Sequence, residues 1–184
     1  MKKTFSLLFI LIFISGALQA AQNFSAAIYG SILFPGDSGY KDVYGKSGFC
    51  PEIKVGYALS ESLYLWAGYG FLYKKGETPV LKEEAKSRQH FLSLGAGYRG
   101  KLTAQLGYEA DLGLMIVPYK EEAMGTSASG TAFGFRVDAG LTYVLTGPFF
   151  AAAKAGYLFA SDKIEGETIK PGGFIAGLGL GAKF

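Results

Sequence analysis

Eight stretches of this chain alternate apolar and polar residues one by one, and the links between them run long, short, long, short, long, short, long. The stretches are residues 23–34, 49–59, 62–74, 89–99, 101–117, 131–145, 149–160 and 173–184. A period of two puts successive side chains on opposite faces of a β-strand. The long links are residues 35–48, 75–87, 118–130 and 162–172. The short ones lie around Ser60 and Glu61, at a tight turn on Gly100, and at residues 146–148. In an antiparallel meander, successive links fall at opposite ends. The strict order therefore gathers every long link at one end and every short turn at the other. Barrels of bacterial outer membranes have this asymmetry. The expected fold is all-β: an eight-stranded antiparallel up-and-down transmembrane β-barrel.

Within each stretch one parity is apolar and the other carries the charges. Tyr108, Ala110, Leu112 and Leu114 share a face with Leu102, Ala104 and Leu106, opposite Gln105, Glu109 and Asp111. Phe133, Phe135, Val137, Ala139, Leu141 and Tyr143 oppose Arg136 and Asp138. Ile53, Val55 and Tyr57 oppose Glu52 and Lys54, and Ala153, Ala155 and Tyr157 oppose Lys154. In the first stretch Ser25, Tyr29 and Ser31 form the polar side. The third is ambiguous: an outer face of Leu63, Leu65, Ala67, Tyr69, Phe71 and Tyr73 leaves Trp66 on the other side.

Alternation alone does not say which face points inward, and a soluble ligand-binding barrel would turn the apolar face inside. Two features favour the opposite sense. The polar parity is rich in glycine, which suits the crowded interior of a small barrel. Aromatics also collect at the strand ends. Tyr57, Tyr98, Tyr143, Phe149 and Phe184 fall at the short-turn end; Phe34, Phe49, Tyr73, Phe133, Phe159 and Phe174 fall at the long-link end. Two such belts match the two interfaces of a membrane.

The N-terminus fits this destination. Lys2 and Lys3 precede the apolar run FSLLFILIFI, and SGALQA closes it with small residues. This reads as a cleaved export signal over residues 1–20, leaving residues 21–184 as the barrel domain. Cleavage removes two of the 18 basic residues and no acidic one, leaving 16 against 15. A near-neutral chain offers no basic surface for nucleic acid. Cys50 is the only cysteine and His90 the only histidine, so neither a disulfide nor a metal centre is expected, and no cofactor. The expected location is the outer membrane of a Gram-negative cell, with lipid as the first partner and the monomer as the working form.

An eight-stranded barrel is narrow enough for its inward side chains to fill it. The charges expected inside are Glu52, Lys54, Arg99, Glu109, Asp111, Arg136, Asp138, Lys154 and Lys183. Both signs are balanced, so a network of ion pairs and water across a narrow polar lumen is the simplest reading. A gated path for small solutes is the sharper one. A wide porin is excluded by strand number.

Together, the export signal, eight strands, four long links and repeated Gly-Tyr steps make the chain resemble the small eight-stranded outer-membrane barrels, the OmpX-like group that includes the transmembrane domain of OmpA. The steps are Gly56-Tyr57, Gly68-Tyr69, Gly97-Tyr98, Gly107-Tyr108 and Gly156-Tyr157. The resemblance covers residues 21–184 and implies a structural or surface-interaction role. A narrow channel for small or hydrophobic solutes, as in the OmpW-like branch, is the alternative. It also implies that Phe174, Leu178, Leu180 and Phe184 on the last strand form a signal read by the outer-membrane assembly machinery. No cell-wall-binding domain of the OmpA kind is expected after Phe184.

Two motifs suggest other chemistry. GAGYRG, residues 95–100, matches a dinucleotide fingerprint but lies in a strand that leads to another strand, where a helix is needed. His90 lies near Ser87 and Ser93, and lipid-modifying barrel enzymes use a Ser–His pair. Ser93 has the opposite parity to His90, so no catalytic function is expected. The long links carry mixed charges, and VLKEEAKS could form a helical turn. Tyr40, Val43 and Tyr44 offer a contact surface for a ligand, with local packing the simpler use.

Overall fold

The computed structural model describes residues 23–164 and 167–184, and the export signal expected over residues 1–20 lies outside them. Strand β1 (Phe24–Pro35) leads into a short helix α1 (Ser38–Tyr44). Then follow β2 (Gly48–Ala58), β3 (Leu63–Glu77), β4 (Glu84–Lys101), β5 (Leu106–Ala123), β6 (Thr126–Thr146), β7 (Phe149–Ile164), β8 (Glu167–Ile169) and β9 (Gly173–Lys183). Each wall strand pairs antiparallel with the next, and β9 pairs with both β7 and β1, which closes the sheet. Eight strands form the wall; β8 is a short flap on the upper end of β7. Closure satisfies the backbone without water, as a bilayer demands.

The apolar parity faces outward. Leu114 is 75% exposed and Leu178 71%, whereas Leu72 on the inner face is 0% exposed. In β3 the ambiguity resolves with Leu63, Leu65, Tyr69 and Tyr73 outside and Trp66 inside. The aromatic belts are present at both ends. Phe24 packs on Tyr57 at the short-turn end, and Phe34 on Phe174 at the long-link end.

Four expectations change. Gly100 is not the turn: it pairs with Tyr108 inside the β4–β5 ladder, and the turn falls at residues 102–105, off the strand face. Leu102 and Ala104 therefore leave the lipid face assigned to them. The second and third long links are largely strand. β3 and β4 stay paired to Glu77 and Glu84, and β5 and β6 to Ala123 and Thr126. VLKEEAKS accordingly runs from a turn into β4. The helix lies in the first link, where Asp37 Oδ1 accepts the Tyr40 amide at 3.0 Å and Gly45, at φ +86°, ends it.

The fourth change concerns the interior. Its short-turn half is polar, as expected, but its long-link half is an apolar core. Leu33, Cys50, Leu72, Phe91, Met115, Val117, Ala132, Leu158 and Ile175 meet there. A strand crosses the bilayer in about 9–11 residues, and β6 has 21. The surplus carries the sheet beyond the membrane, while the apolar core lies level with the upper aromatic belt, where Leu33 and Ile175 adjoin Phe34 and Phe174.

Candidate functional site

The inward charges sort into two groups. In the first, Glu52 accepts from Ser31 Oγ at 2.7 Å, Arg136 Nη1 at 3.0 Å and Lys154 Nζ at 2.7 Å. Arg136 also grips Asp138 with a fork, Nε to Oδ2 at 2.7 Å and Nη2 to Oδ1 at 2.9 Å. Such two-pronged bonds are strong and directional. In the second group, Lys54 bonds Asp111 and lies 3.3 Å from Glu109, while Tyr64 donates to Asp111 at 2.6 Å. Arg99 and Lys183 make no ion pair in either group, although the Arg99 guanidinium lies 5.5 Å from the centre of the Tyr64 ring. Arg99 donates to the Glu61 carbonyl at 3.2 Å, and the Lys183 ammonium lies 5.3 Å from the centre of the Phe150 ring.

Trp66 stands between the groups. Its ring centre is 5.7 Å from Lys54 Nζ and 5.6 Å from the Arg136 guanidinium, and its Nε1 donates to the Ala96 carbonyl at 3.2 Å. The ring occupies the space left by Gly113, where any side chain would collide with it. The cavity left among Tyr29, Lys54, Glu109, Asp111 and Lys154 is only about 10 Å³. That is room for a single water at most. The apolar core closes the barrel above this layer.

Over the core sits α1. Tyr44, buried, points its hydroxyl at the Lys86 carbonyl at 3.4 Å, and Tyr40 donates to Ser87 Oγ at 3.2 Å. Gly76 lets the Val43 carbonyl approach β3, since a side chain there would strike it. The tyrosines suggested as outward contacts are thus spent on seating the helix. Burial pushes the Tyr40 phenol up to about 12. Asp37 before α1 and the Tyr40–Tyr44 spacing of one helical turn were the sequence signal for this element.

On the wall, β2 and β3 part company. Their pairing ends at Glu52 and Gly70, while residues 48–51 stay with β1 and β3 stays with β4. Pro51, which has no N–H, stands at the fork. Lys74 bridges the gap to the Ser47 carbonyl at 2.8 Å. Outside lies a hollow of about 790 Å³ lined by Phe49, Pro51, Ile53, Tyr69 and Phe71. On the inside, Leu72, Cys50 and Phe91 fill the space.

The other motifs also have places. His90 is on the outer face, where its Nδ1 pairs with the Tyr69 hydroxyl at 2.8 Å. Ser87 and Ser93 are buried on the inner face, so the wall separates them from His90. GAGYRG lies within β4, where Gly97 makes room for the Tyr64 ring. On the last strand Phe174, Leu178, Leu180 and Phe184 are all exposed on the outer face.

Comparison with known proteins agrees with this geometry. A family model described as the outer membrane protein β-barrel domain matches residues 5–184. OprG from Pseudomonas aeruginosa is similar with a TM-score of 0.70 at 13% identity, over 88% of this chain and 96% of that one. Neisserial surface protein A is similar with a TM-score of 0.64 at 15% identity, over 89% and 98%. Ail, the attachment invasion locus protein of Yersinia pestis, is similar with a TM-score of 0.58 at 17% identity, over 89% and 100%. No curated protein matches the sequence significantly.

Proposed function

The chain belongs to the outer membrane protein β-barrel domain family, and from that premise we propose that it is a surface-interaction barrel which captures partners on a projecting sheet. It is an integral protein of the Gram-negative outer membrane, with lipid around its apolar wall. The observation that carries the reading is one unpaired edge. β6 pairs with β7 only from Phe133 downward, because the top of β7 turns away to pair with β8. Residues 126–132, TSASGTA, therefore have β5 on one side and no strand on the other among the described residues. The segment has no charge and no proline, the usual means of blunting an edge. The opposite edge, the top of β3, lies against α1, and its own Lys74 reaches across to the Ser47 carbonyl. An open edge of this kind takes an extended segment of another protein as an added strand.

The turn tells which residues offer the bonds. Met124 and Gly125 both have positive φ and form a two-residue hairpin turn between Ala123 and Thr126. Ala123 and Thr126 are then the hydrogen-bonded pair, and Ser127, Ser129 and Thr131 direct their N–H groups away from β5. Ser129→Pro removes one outward donor and leaves the β5 ladder intact. Cells displaying the wild type should adhere to protein-coated surfaces more than cells without it. Ser129→Pro should remove most of that excess while the barrel still inserts. Equal adhesion of variant and wild type ends the proposal.

The parting of β2 and β3 favours a second reading, a narrow path for small apolar solutes. Faster hydrocarbon uptake by proteoliposomes than by protein-free vesicles supports it, and equal uptake removes it. For the last strand, the outward row Phe174, Leu178, Leu180 and Phe184 is assigned to recognition by the assembly machinery. Phe184→Ser should slow insertion in cells, and an unchanged rate would withdraw the assignment.

A further inference from the structure

Beneath α1, on the lumen side of the wall, lies a cavity of about 330 Å³. This is at the small end of the range for ligand sites. Two carboxylates line it, Asp37 ahead of α1 and Glu121 of β5. Neither enters an ion pair among the described residues. Asp37 gives one oxygen to the Tyr40 amide. Burial, and then the charge of Asp37, hold the Glu121 carboxyl above the usual carboxylate range. Lys170 is the one basic residue on the lining.

A second observation is independent of the acids. Gln89 of β4 lines the same cavity at 3% exposure, and its amide makes no hydrogen bond to a described residue. Among the described residues only Ser93 Oγ is a fully buried side-chain polar atom without a partner, so the Gln89 amide is open to the cavity. The rings of Tyr40 and Tyr44, with centres 4.5 Å apart, supply an aromatic wall beside these groups. So the cavity joins two acceptor carboxylates, an unpartnered amide and two aromatic faces.

We propose that this cavity binds a small organic amine, with its ammonium between Asp37, Glu121 and the Gln89 oxygen and its carbon body along Tyr40 and Tyr44. Charge and cation–π attraction both favour an ammonium over an anion or a neutral solute. A hard metal ion fits less well. It asks for six or more oxygen ligands, and no group of three or more acidic, histidine or cysteine side chains stands together among the described residues. The wall separates the cavity from the bilayer, so the ligand is a soluble amine and not a lipid headgroup.

The test is a nuclear magnetic resonance titration of the mature barrel in nanodiscs with 1,4-diaminobutane. The Gln89 side-chain amide and the Tyr40 and Tyr44 signals should shift saturably, with a dissociation constant of about 1 mM or tighter. The double variant Asp37→Asn, Glu121→Gln should bind at least ~10-fold more weakly. It keeps the helix cap, because asparagine caps as well as aspartate, and heat-dependent gel mobility verifies that it folds. Gln89→Leu should weaken binding in the same direction. No saturable shift in the wild type overturns the proposal, as does undiminished binding by the folded double variant. Shifts produced by Mg²⁺ alone and not by the diamine would also overturn it, in favour of a metal site.

Discussion

Arg136→Ala should lower the stability of the folded barrel by about 3–5 kcal/mol, the cost of leaving buried charges without their partner. Arg136 is 3% exposed and holds Glu52 and Asp138 together from its centre. With Lys154 the group has two positive and two negative members, so losing the guanidinium leaves one uncompensated negative charge in a site nearly free of water. Lysine does not rescue it, because a single ammonium cannot reproduce the fork on Asp138 while reaching Glu52. Removing the whole group is different. Replacing Glu52, Arg136, Asp138 and Lys154 together with uncharged side chains of similar volume leaves no stranded charge, and should cost much less than Arg136→Ala alone. Equilibrium urea unfolding in lipid vesicles measures both. A loss below about 1 kcal/mol for Arg136→Ala would mean that water reaches and screens the site. A quadruple variant worse than the single one would make the network a net source of stability.

The wall was legible because lipid enforces it. Outward residues of a membrane strand are overwhelmingly apolar, and this gave Leu112, Leu114, Phe133, Phe135, Leu178 and Leu180 their unbroken parity. Above the bilayer that pressure ends. Residues 118–130 read as a loop because only Tyr119 there joins the core, while charged and small polar residues follow one another on both parities, so the ladder leaves no clean alternation. The inner charges were also legible by parity, but their grouping was not. Parity puts Arg99 and Arg136 on the same face without saying that one meets Glu52 and Asp138 and the other a turn carbonyl. The apolar core was hidden for the converse reason. Leu33, Leu72, Met115 and Leu158 lie on the parity expected to be polar, and there they only blur the alternation. The seven residues of α1 are too few for a helical period to show. Gln89 looks like any polar residue of a strand until its cavity is seen.

Trp66 shows how far the two halves of the interior depend on one another. Trp66→Ala should destabilise the barrel by about 3–5 kcal/mol, the range for removing a large buried aromatic. The space cannot collapse easily, because Gly113 and its ladder neighbours are fixed by hydrogen bonds to both sides. It also borders Lys54 and Arg136, so water should enter it from the short-turn side, while the apolar core above still closes the barrel. Trp66→Phe keeps a ring against Gly113 and loses the bond to the Ala96 carbonyl. Its cost should be about 0.5–1.5 kcal/mol, that of one hydrogen bond, because the Ala96 carbonyl remains within a ladder paired on both sides. The coupling to Arg136 is the decisive measurement. If the indole helps hold the guanidinium in place, the losses from Trp66→Ala and Arg136→Ala will not add. The double variant should then differ from their sum by about 0.5–3 kcal/mol, as residues in contact do. Strict additivity would mean that the ring only fills space, and that the ion group below the apolar core keeps its geometry without it.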